Sequence, residues 1–469
     1  MGKDRIHFYI EQHRAALETM ALDIWAHPEG GFQEKRTAQI QAEYLKRLGA
    51  QVSFPVACAP TALVAQYGSG FPVVGFLGEL DALPGQSQKV CAYQEPAEKG
   101  GYGHACGHHL LGVGSLAGFA ALMEVMREEK IPGTIRYYGC PAEESFGGKT
   151  FMARDGLFDD LDCCMNWHPS GEDSVALTQS SAFELMEFHF HGVEAHAAMN
   201  PHMGRSALDA VELMNVGANY LREHIIPAAR LHYFITDGGR AVNVVPGNAA
   251  VRYAVRAPQI HQVQEIVERL VSVAQGAAMM TGTTVEKKVM SIYHNRLPNN
   301  ALSDLVYENL AHCPWPKYTT EELELFRALS ATYSPSLVEE RCKTLGAAKD
   351  ELWNSLLRRP IRKGNKSITV GGSTDVGDVS WITPTVNLTV TCCPIMVDGH
   401  SWQACAAYGS TAAAKGMTRA AQVMAWSAYD LLTTRQDVLG KAKKELQQDR
   451  NGRSYTPIPQ DMLPSFDNL

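Results

Sequence analysis

Residues 103–108 read Gly103-His104-Ala105-Cys106-Gly107-His108 and stand directly before a long apolar-periodic segment over 109–129. A cysteine and a histidine two positions apart do not share a helix face. On a glycine-flanked loop ahead of a helix, however, both side chains can turn toward one point. Thiolate and neutral imidazole are ligands that suit zinc and other borderline divalent metals. Three further runs carry related chemistry: Pro141-Ala142-Glu143-Glu144, Trp167-His168-Pro169 and Gly399-His400-Ser401. The two adjacent carboxylates follow the apolar run Ile135–Tyr138 and Pro141, so they leave a strand end rather than decorate a helix. Together these runs form a dinuclear-metal hydrolase pattern. Such a site needs ligands for each ion, a bridging group, a base for the water and an electrophile for the oxyanion.

Working outward, Leu63-Val64-Ala65, Val73–Leu77 and Thr134–Tyr138 are predicted strands, and 33–48 and 109–129 predicted helices. This alternation implies an α/β layer structure, in which sites lie at strand ends. Residues 183–292 read differently. Phe183–His191 alternates like a strand, Arg205–Glu223 is an amphipathic helix, and Leu231–Thr236 and Ala249–Arg256 are two strands. A second helix over Ile260–Met280 and a last strand over Thr283–Ile292 complete the order β-α-β-β-α-β, the ferredoxin-like arrangement. The expected organisation is a mixed-sheet catalytic, metal-binding domain from 1–182 and 293–469, with a ferredoxin-like unit inserted at 183–292. Residues 313–367 read as helical and charged, with breaks at Pro335 and Pro360, and carry no assigned role. The basic run Arg358–Lys366 reads as a solvated loop, and the polar, Pro-rich tail beyond Asp449 as surface.

At 469 residues, two domains are expected. A net charge of −8, with no basic stripe beyond Arg358–Lys366, argues against a nucleic-acid partner. No apolar run reads as long enough to span a bilayer, and Met1-Gly2-Lys3-Asp4-Arg5 lacks a signal-peptide stretch. The eleven cysteines have no framework spacing, and Cys163-Cys164 and Cys392-Cys393 are adjacent. They read as small apolar residues in a reducing compartment, so a cytoplasmic location is expected.

The motif order resembles the M20 metallopeptidase and amidohydrolase family, and within it the branch of hippurate, indole-acetyl-amino-acid and p-aminobenzoyl-glutamate hydrolases. The resemblance begins at Trp25-Ala26-His27-Pro28-Glu29 and continues through Gly78-Glu79-Leu80-Asp81-Ala82-Leu83-Pro84. Beyond the runs above it includes Ala195-His196-Ala197-Ala198, Asn243-Val244-Val245-Pro246 and Ser373-Thr374-Asp375-Val376-Gly377-Asp378. Gly148-Lys149-Thr150-Phe151-Met152 and Gly204–Ala210 look closest to the B component of the last hydrolase.

The resemblance implies two divalent ions per chain, with zinc or manganese ahead of cobalt or nickel. It makes Cys106 the bridging ligand, His108 and His168 the ligands of one ion, and Glu144 and His400 those of the other. Glu143 is implied as general base and acid, and Asp81 as the residue that steadies the ligands, with Glu79 as a candidate to share that task. His196 matches a lid histidine that stabilises the oxyanion, reaching the site of the neighbouring copy in a dimer. Asn243 and Arg256 match residues that hold a substrate carboxylate; Arg252 lies four residues earlier on the same strand face and competes for that role. His109 departs from the Asp or Asn that many relatives carry there. The implied insert is a lid and dimerisation domain, and the implied reaction is hydrolysis of an N-acyl or N-aroyl amino acid amide, p-aminobenzoyl-glutamate foremost. A dipeptidase of the same mechanism is the runner-up. A largely non-catalytic component of a hetero-oligomeric hydrolase, working with a homologous partner, is the alternative from another class.

Overall fold

The computed structural model describes residues 2–346, 348 and 357–464. Eight strands form the body sheet in the order Gln51–Ser53, Leu63–Ser69, Gly133–Cys140, Val73–Glu79, Cys163–Ser170, Thr385–Thr391, Glu172–Ala176 and Leu357–Lys363. The four strands from Gly133–Cys140 to Thr385–Thr391 are mutually parallel, whereas the neighbours on both sides pair antiparallel. Parallel strands covered on both faces must be apolar on both faces, and every residue of Val73–Glu79 is buried. Alternation sends Val74 and Phe76 into one core and Val73 and Leu77 into the other. Helices Gly2–Ala26, His108–Glu129 and Thr411–Leu432 pack together on the first side. Shorter helices Gly148–Arg154 and Val376–Ile382 meet on the second.

The His108–Glu129 helix is apolar on nearly every side because the body encloses it. By length and composition it could cross a membrane, which corrects the expectation that no run is long enough, yet 94% of that apolar stretch is buried inside the body. Its glycines permit close approach to the sheet. A Cβ on Gly114 would lie 2.7 Å from Trp167 Cζ2, and the Trp167 indole donates to the Leu111 carbonyl at 3.0 Å. The helix that begins with His108 is thereby set against the strand that carries His168.

The inserted unit has the expected element order: Ala182–His191, Ala207–Leu221, Arg230–Asp237, Asn248–Ala257, Ile260–Thr281 and Thr284–Tyr293. Its sheet is antiparallel throughout, in the order Thr284–Tyr293, Ala182–His191, Asn248–Ala257, Arg230–Asp237. Both helices cover one face and enclose a separate core around Phe188, Phe190, Met214, Tyr253 and Leu270.

Two expectations about residues 313–367 change. The segment holds helices Thr320–Ser330 and Pro335–Leu345, but then supplies the edge strand Leu357–Lys363 rather than a solvated loop. An edge position tolerates both the charges and Pro360, which cannot donate to a ladder. The remainder of that segment, 347 and 349–356, lies outside the described residues, as do the side chains of 357–359 and 362–363.

Gly114→Ala should lower unfolding stability by about 1–3 kcal/mol, because the buried Trp167 ring cannot withdraw without disturbing the sheet. Denaturant unfolding measures this; wild-type stability in the variant would contradict the packing.

Candidate active site

Four adjacent parallel strands deliver predicted site residues from their carboxyl ends, where open α/β sheets bind ligands. Val73–Glu79 leads to Asp81, Gly133–Cys140 to Glu143 and Glu144, Cys163–Ser170 carries His168, and Thr385–Thr391 leads to His400. His168 therefore sits in a central strand. The loop before the His108–Glu129 helix completes the set. Gly103 pairs with Leu83 through two backbone hydrogen bonds, and Gly107 adopts φ 81° to turn the chain into the helix. His400 has φ 62°, and its amide donates to the Ala105 carbonyl at 3.0 Å, which fastens the last ligand loop onto the first.

Two groups of metal-ligating atoms result, Cys106-His108-His168 and Cys106-Glu144-His400, each with its atoms within 4.8 Å of one another. Cys106 belongs to both. Its Sγ lies 3.3 Å from His168 Nε2, and His400 Nε2 lies 3.1 Å from Glu144 Oε1. Hydrogen bonds select which imidazole nitrogen faces the site. His108 Nδ1 meets Asp81 Oδ1 at 3.0 Å and His168 Nδ1 meets the Pro169 carbonyl at 2.8 Å, leaving both Nε2 atoms inward. Asp81 Oδ2 also accepts the Glu144 amide at 2.9 Å, so one carboxylate aligns a ligand from each group. His108 Nε2 and Glu144 Oε1 are buried and, despite close contacts to Glu79 and His400, complete no hydrogen bond. Such orphaned atoms are rare in a finished interior. Thiol, imidazole and carboxylate donors converging in this way fit divalent metal ions.

Electrostatics sharpen the picture. Burial, reinforced by Glu144, pushes the Cys106 thiol well above its usual range. Burial opposes the charged form of His108, but Cys106, Glu79 and Asp81 outweigh it and raise the imidazole's pKa. Glu144 is drawn down to about 2, because His400 and His108 overcome the cost of its burial. Glu143 goes the other way: burial first, then Glu79, Glu144 and Asp375, raise it well above the carboxylate range. Among the described residues its carboxylate has no ion pair or hydrogen bond. An untethered acid with a raised pKa is suited to moving protons.

Sequence reasoning missed three neighbours or left them without a role. Lys149 is completely buried, and its Nζ lies 2.7 Å from Glu79 Oε1 and 2.6 Å from Asp375 Oδ1. Its amide donates to Asp375 Oδ2 at 2.9 Å. The other Glu79 oxygen lies 3.1 Å from His108 Nε2, and Glu79, His108 and Glu143 form a third group of potential ligands. Burial pushes Asp375 up to about 6 despite Lys149. His109, the departure noted above, is directed away from His108: its Nε2 meets the Tyr408 carbonyl at 3.1 Å, and burial drives it down to about 3.

The predicted residues of the insert are not part of this cluster. His196 is exposed and pairs with Val244, while the Ala197 amide donates to the Asn243 carbonyl at 3.0 Å. His196 and Asn243 therefore share one exposed pair of segments. Arg256 faces the body: it donates to Ser373 Oγ at 2.7 Å and lies 4.4 Å over the Phe183 ring. Arg252 instead lies 3.4 Å from Glu187. Of the two arginines, Arg256 has no carboxylate partner among the described residues, and burial lowers its pKa.

Residues 75–391 match the model of Peptidase family M20/M25/M40, and the chain belongs to that family. It is 38% identical over 468 residues to the B component of p-aminobenzoyl-glutamate hydrolase from Escherichia coli (strain K12), covering 97% of each chain. Two solved structures share the fold. An aminobenzoyl-glutamate utilization protein from Klebsiella pneumoniae aligns with TM-score 0.64 at 19% identity, over 92% of this chain and 99% of the other. A dinuclear metal binding peptidase of the M20 family from Bacillus subtilis aligns with TM-score 0.56 at 19% identity, over 90% and 99%. The chain is a metal-dependent hydrolase of this family.

Cys106→Ser should reduce bound metal in both ligand groups, because the thiol is common to them. Metal analysis of the purified variant tests this; undiminished metal content would make Cys106 a buried thiol without that role.

Proposed function

We propose that this chain is a dinuclear-metal amidohydrolase that cleaves N-acyl or N-aroyl amino acid amides, with p-aminobenzoyl-glutamate as the best-fitting substrate. The observation that carries the reading is the pair of ligand groups sharing Cys106 beside the untethered Glu143. Its likeness along nearly the whole chain to a component of p-aminobenzoyl-glutamate hydrolase supports the substrate class. Cys106, His108 and His168 would hold one ion, and Cys106, Glu144 and His400 the other, zinc or manganese by donor type, with cobalt or nickel also accepted. Ions bound there would polarise the scissile carbonyl and make a water acidic enough to react near neutral pH.

The chain's own residues supply the rest. Asp81 holds His108 and the Glu144 amide in line. Glu143 takes a proton from the attacking water and returns it to the departing amine, the two halves of general base and acid catalysis. Arg256, a partly buried guanidinium bonded to Ser373 but to no carboxylate among the described residues, offers a planar fork for the substrate's α-carboxylate, and Asn243 would add a second contact. His196 would serve the oxyanion in a second copy of the chain, for which its exposure on the insert is the supporting observation.

The insert thus acts as a lid and as the dimer contact. Of the 21 exposed large hydrophobic residues among those described, 13 lie within it, including Leu213, Val216 and Tyr220 on one helix and Phe234 and Ile235 on the edge strand. The Escherichia coli relative is one component of a hydrolase that also has an A component, which supports a homologous second chain as a further partner. Eleven unpaired cysteines support a reducing, cytoplasmic location.

Glu143→Gln should retain metal and fold but lose about 10²–10⁴-fold in turnover, the range for a removed general base. Amino acid release by the metal-replete variant is the test, and near-normal turnover would place the base elsewhere. Arg256→Ala should chiefly raise KM, by about 2–5 kcal/mol in binding, and should matter far less for substrates whose carboxylate is amidated. Equal losses on free and amidated substrates, in steady-state assays, would remove Arg256 from carboxylate binding.

A further inference from the structure

The segment that opens the family resemblance, from Trp25 to Glu29, has no part in the chemistry above, nor do the residues that follow it. The structure nevertheless brings residues 31–34 to the back of the turn that carries Glu143 and Glu144. Glu29 caps the Lys35–Arg47 helix, accepting the Arg36 amide at 3.0 Å and the Thr37 amide at 2.9 Å. This anchors Glu34, the residue before that helix, in a fully buried position. Glu34 Oε1 accepts the Ala142 amide at 2.8 Å, and its Oε2 is bonded to Thr61 Oγ1 at 2.7 Å.

Ala142 is the residue immediately before Glu143, and it has φ 56°. A residue with a Cβ enters that left-handed region at a cost and stays there only when its surroundings hold it. The surroundings here are specific. The Ala142 carbonyl accepts the amides of Phe146 at 3.1 Å and Gly147 at 2.8 Å, which closes the turn. Phe32 stacks on Phe146 with ring centroids 6.1 Å apart. A Cβ on Gly31 would stand 2.3 Å from Ser145 Oγ and 3.0 Å from Ala142 Cβ, so the two segments lie in direct contact. Residues 31–34 therefore grip the turn at Ala142 and at Phe146, while Asp81 holds the Glu144 amide between them.

We propose that Glu34 is a positioning residue for the reaction: its buried carboxyl clamps the Ala142 amide and so sets the direction in which Glu143 and Glu144 leave the turn. This rests on the reading of Glu143 as the base. Burial, with Asp81 adding to it, pushes Glu34 up to about 8. In the structure Oε1 accepts from the Ala142 amide and Oε2 accepts from the Thr61 hydroxyl. A glutamine amide of nearly the same length keeps an oxygen that can accept from Ala142, so the chemistry distinguishes replacements of nearly equal size.

The test compares Glu34→Gln, Glu34→Asp and Glu34→Met in the full-length, metal-loaded protein. Glu34→Gln should keep turnover close to that of the wild type. Glu34→Asp withdraws the carboxyl by one methylene and Glu34→Met removes the acceptor. Each should lower kcat about ten- to a hundredfold, the scale of a small misplacement of a catalytic group, with KM and metal content little changed. Hydrogen exchange at the Ala142 amide reads the clamp without any turnover: it should rise in the Asp and Met variants and stay low in the Gln variant. Unchanged exchange and kcat in Glu34→Asp, or a loss in Glu34→Gln as large as in the others, would overturn the proposal. Should Glu34→Met fail to fold, the Asp and Gln pair still decides it. A wild type that releases no amino acid from N-acyl substrates would speak against the proposed function instead, leaving the exchange result to judge the clamp.

Discussion

Charge buried around a single thiol is the constraint on which this structure turns. Glu79, Asp81 and Asp375 are 3%, 1% and 0% exposed, and Glu143 and Glu144 reach the same cluster. A buried carboxylate must find a cation or hydrogen-bond donors, or else take up a proton. Lys149 answers for Glu79 and Asp375, Asp81 is matched by His108 and the Glu144 amide, and Glu144 has His400. What remains around Cys106 is a set of inward-facing donor atoms, among which His108 Nε2 and Glu144 Oε1, though each 3.1 Å from a charged neighbour in Glu79 and His400, complete no hydrogen bond. Thiol, imidazole and carboxylate atoms gathered in this way are the donor types that hold borderline divalent ions.

The fold exists to make that convergence rigid. Ends of four neighbouring parallel strands aim at one place, and the glycine-bearing helix after Cys106 lies close against Trp167, so the ligands cannot drift apart without disturbing the core. The insert is built differently. It has its own core and reaches the body through Arg256 and Ser373 among other contacts, and its exposed loop pair carries His196 and Asn243. The rigid centre and the insert are thus separately packed units.

Much of this was legible in the sequence, for identifiable reasons. Period-two and period-3.6 patterns within 183–292 marked six elements to within two residues of their ends, because that unit has one buried and one open face. The candidate ligands were legible chiefly through the resemblance of their glycine- and proline-bounded runs to the family, and the structure brings their donor atoms together. Strands Cys163–Ser170 and Thr385–Thr391 were harder, since a strand buried on both faces shows no alternation. Lys149 and Glu34 escaped assignment because a charged residue in a helical stretch ordinarily lies on the surface. Nothing local to either reveals that its partners, Asp375 and Ala142, lie far along the chain. The edge strand Leu357–Lys363 was read as a loop because its charges and Pro360 suit an edge and nothing more central.

The central claim is that Cys106 is shared by two metal positions. Anomalous diffraction from crystals of the metal-loaded protein, recorded at the absorption edge of the bound element, tests it most directly. The account predicts two anomalous peaks flanking Cys106 Sγ, each about 2.3 Å from the sulfur if the metal is zinc, one beside His108 and His168 and the other beside Glu144 and His400. A single peak, or two peaks that leave Cys106 outside the coordination of either, would contradict it.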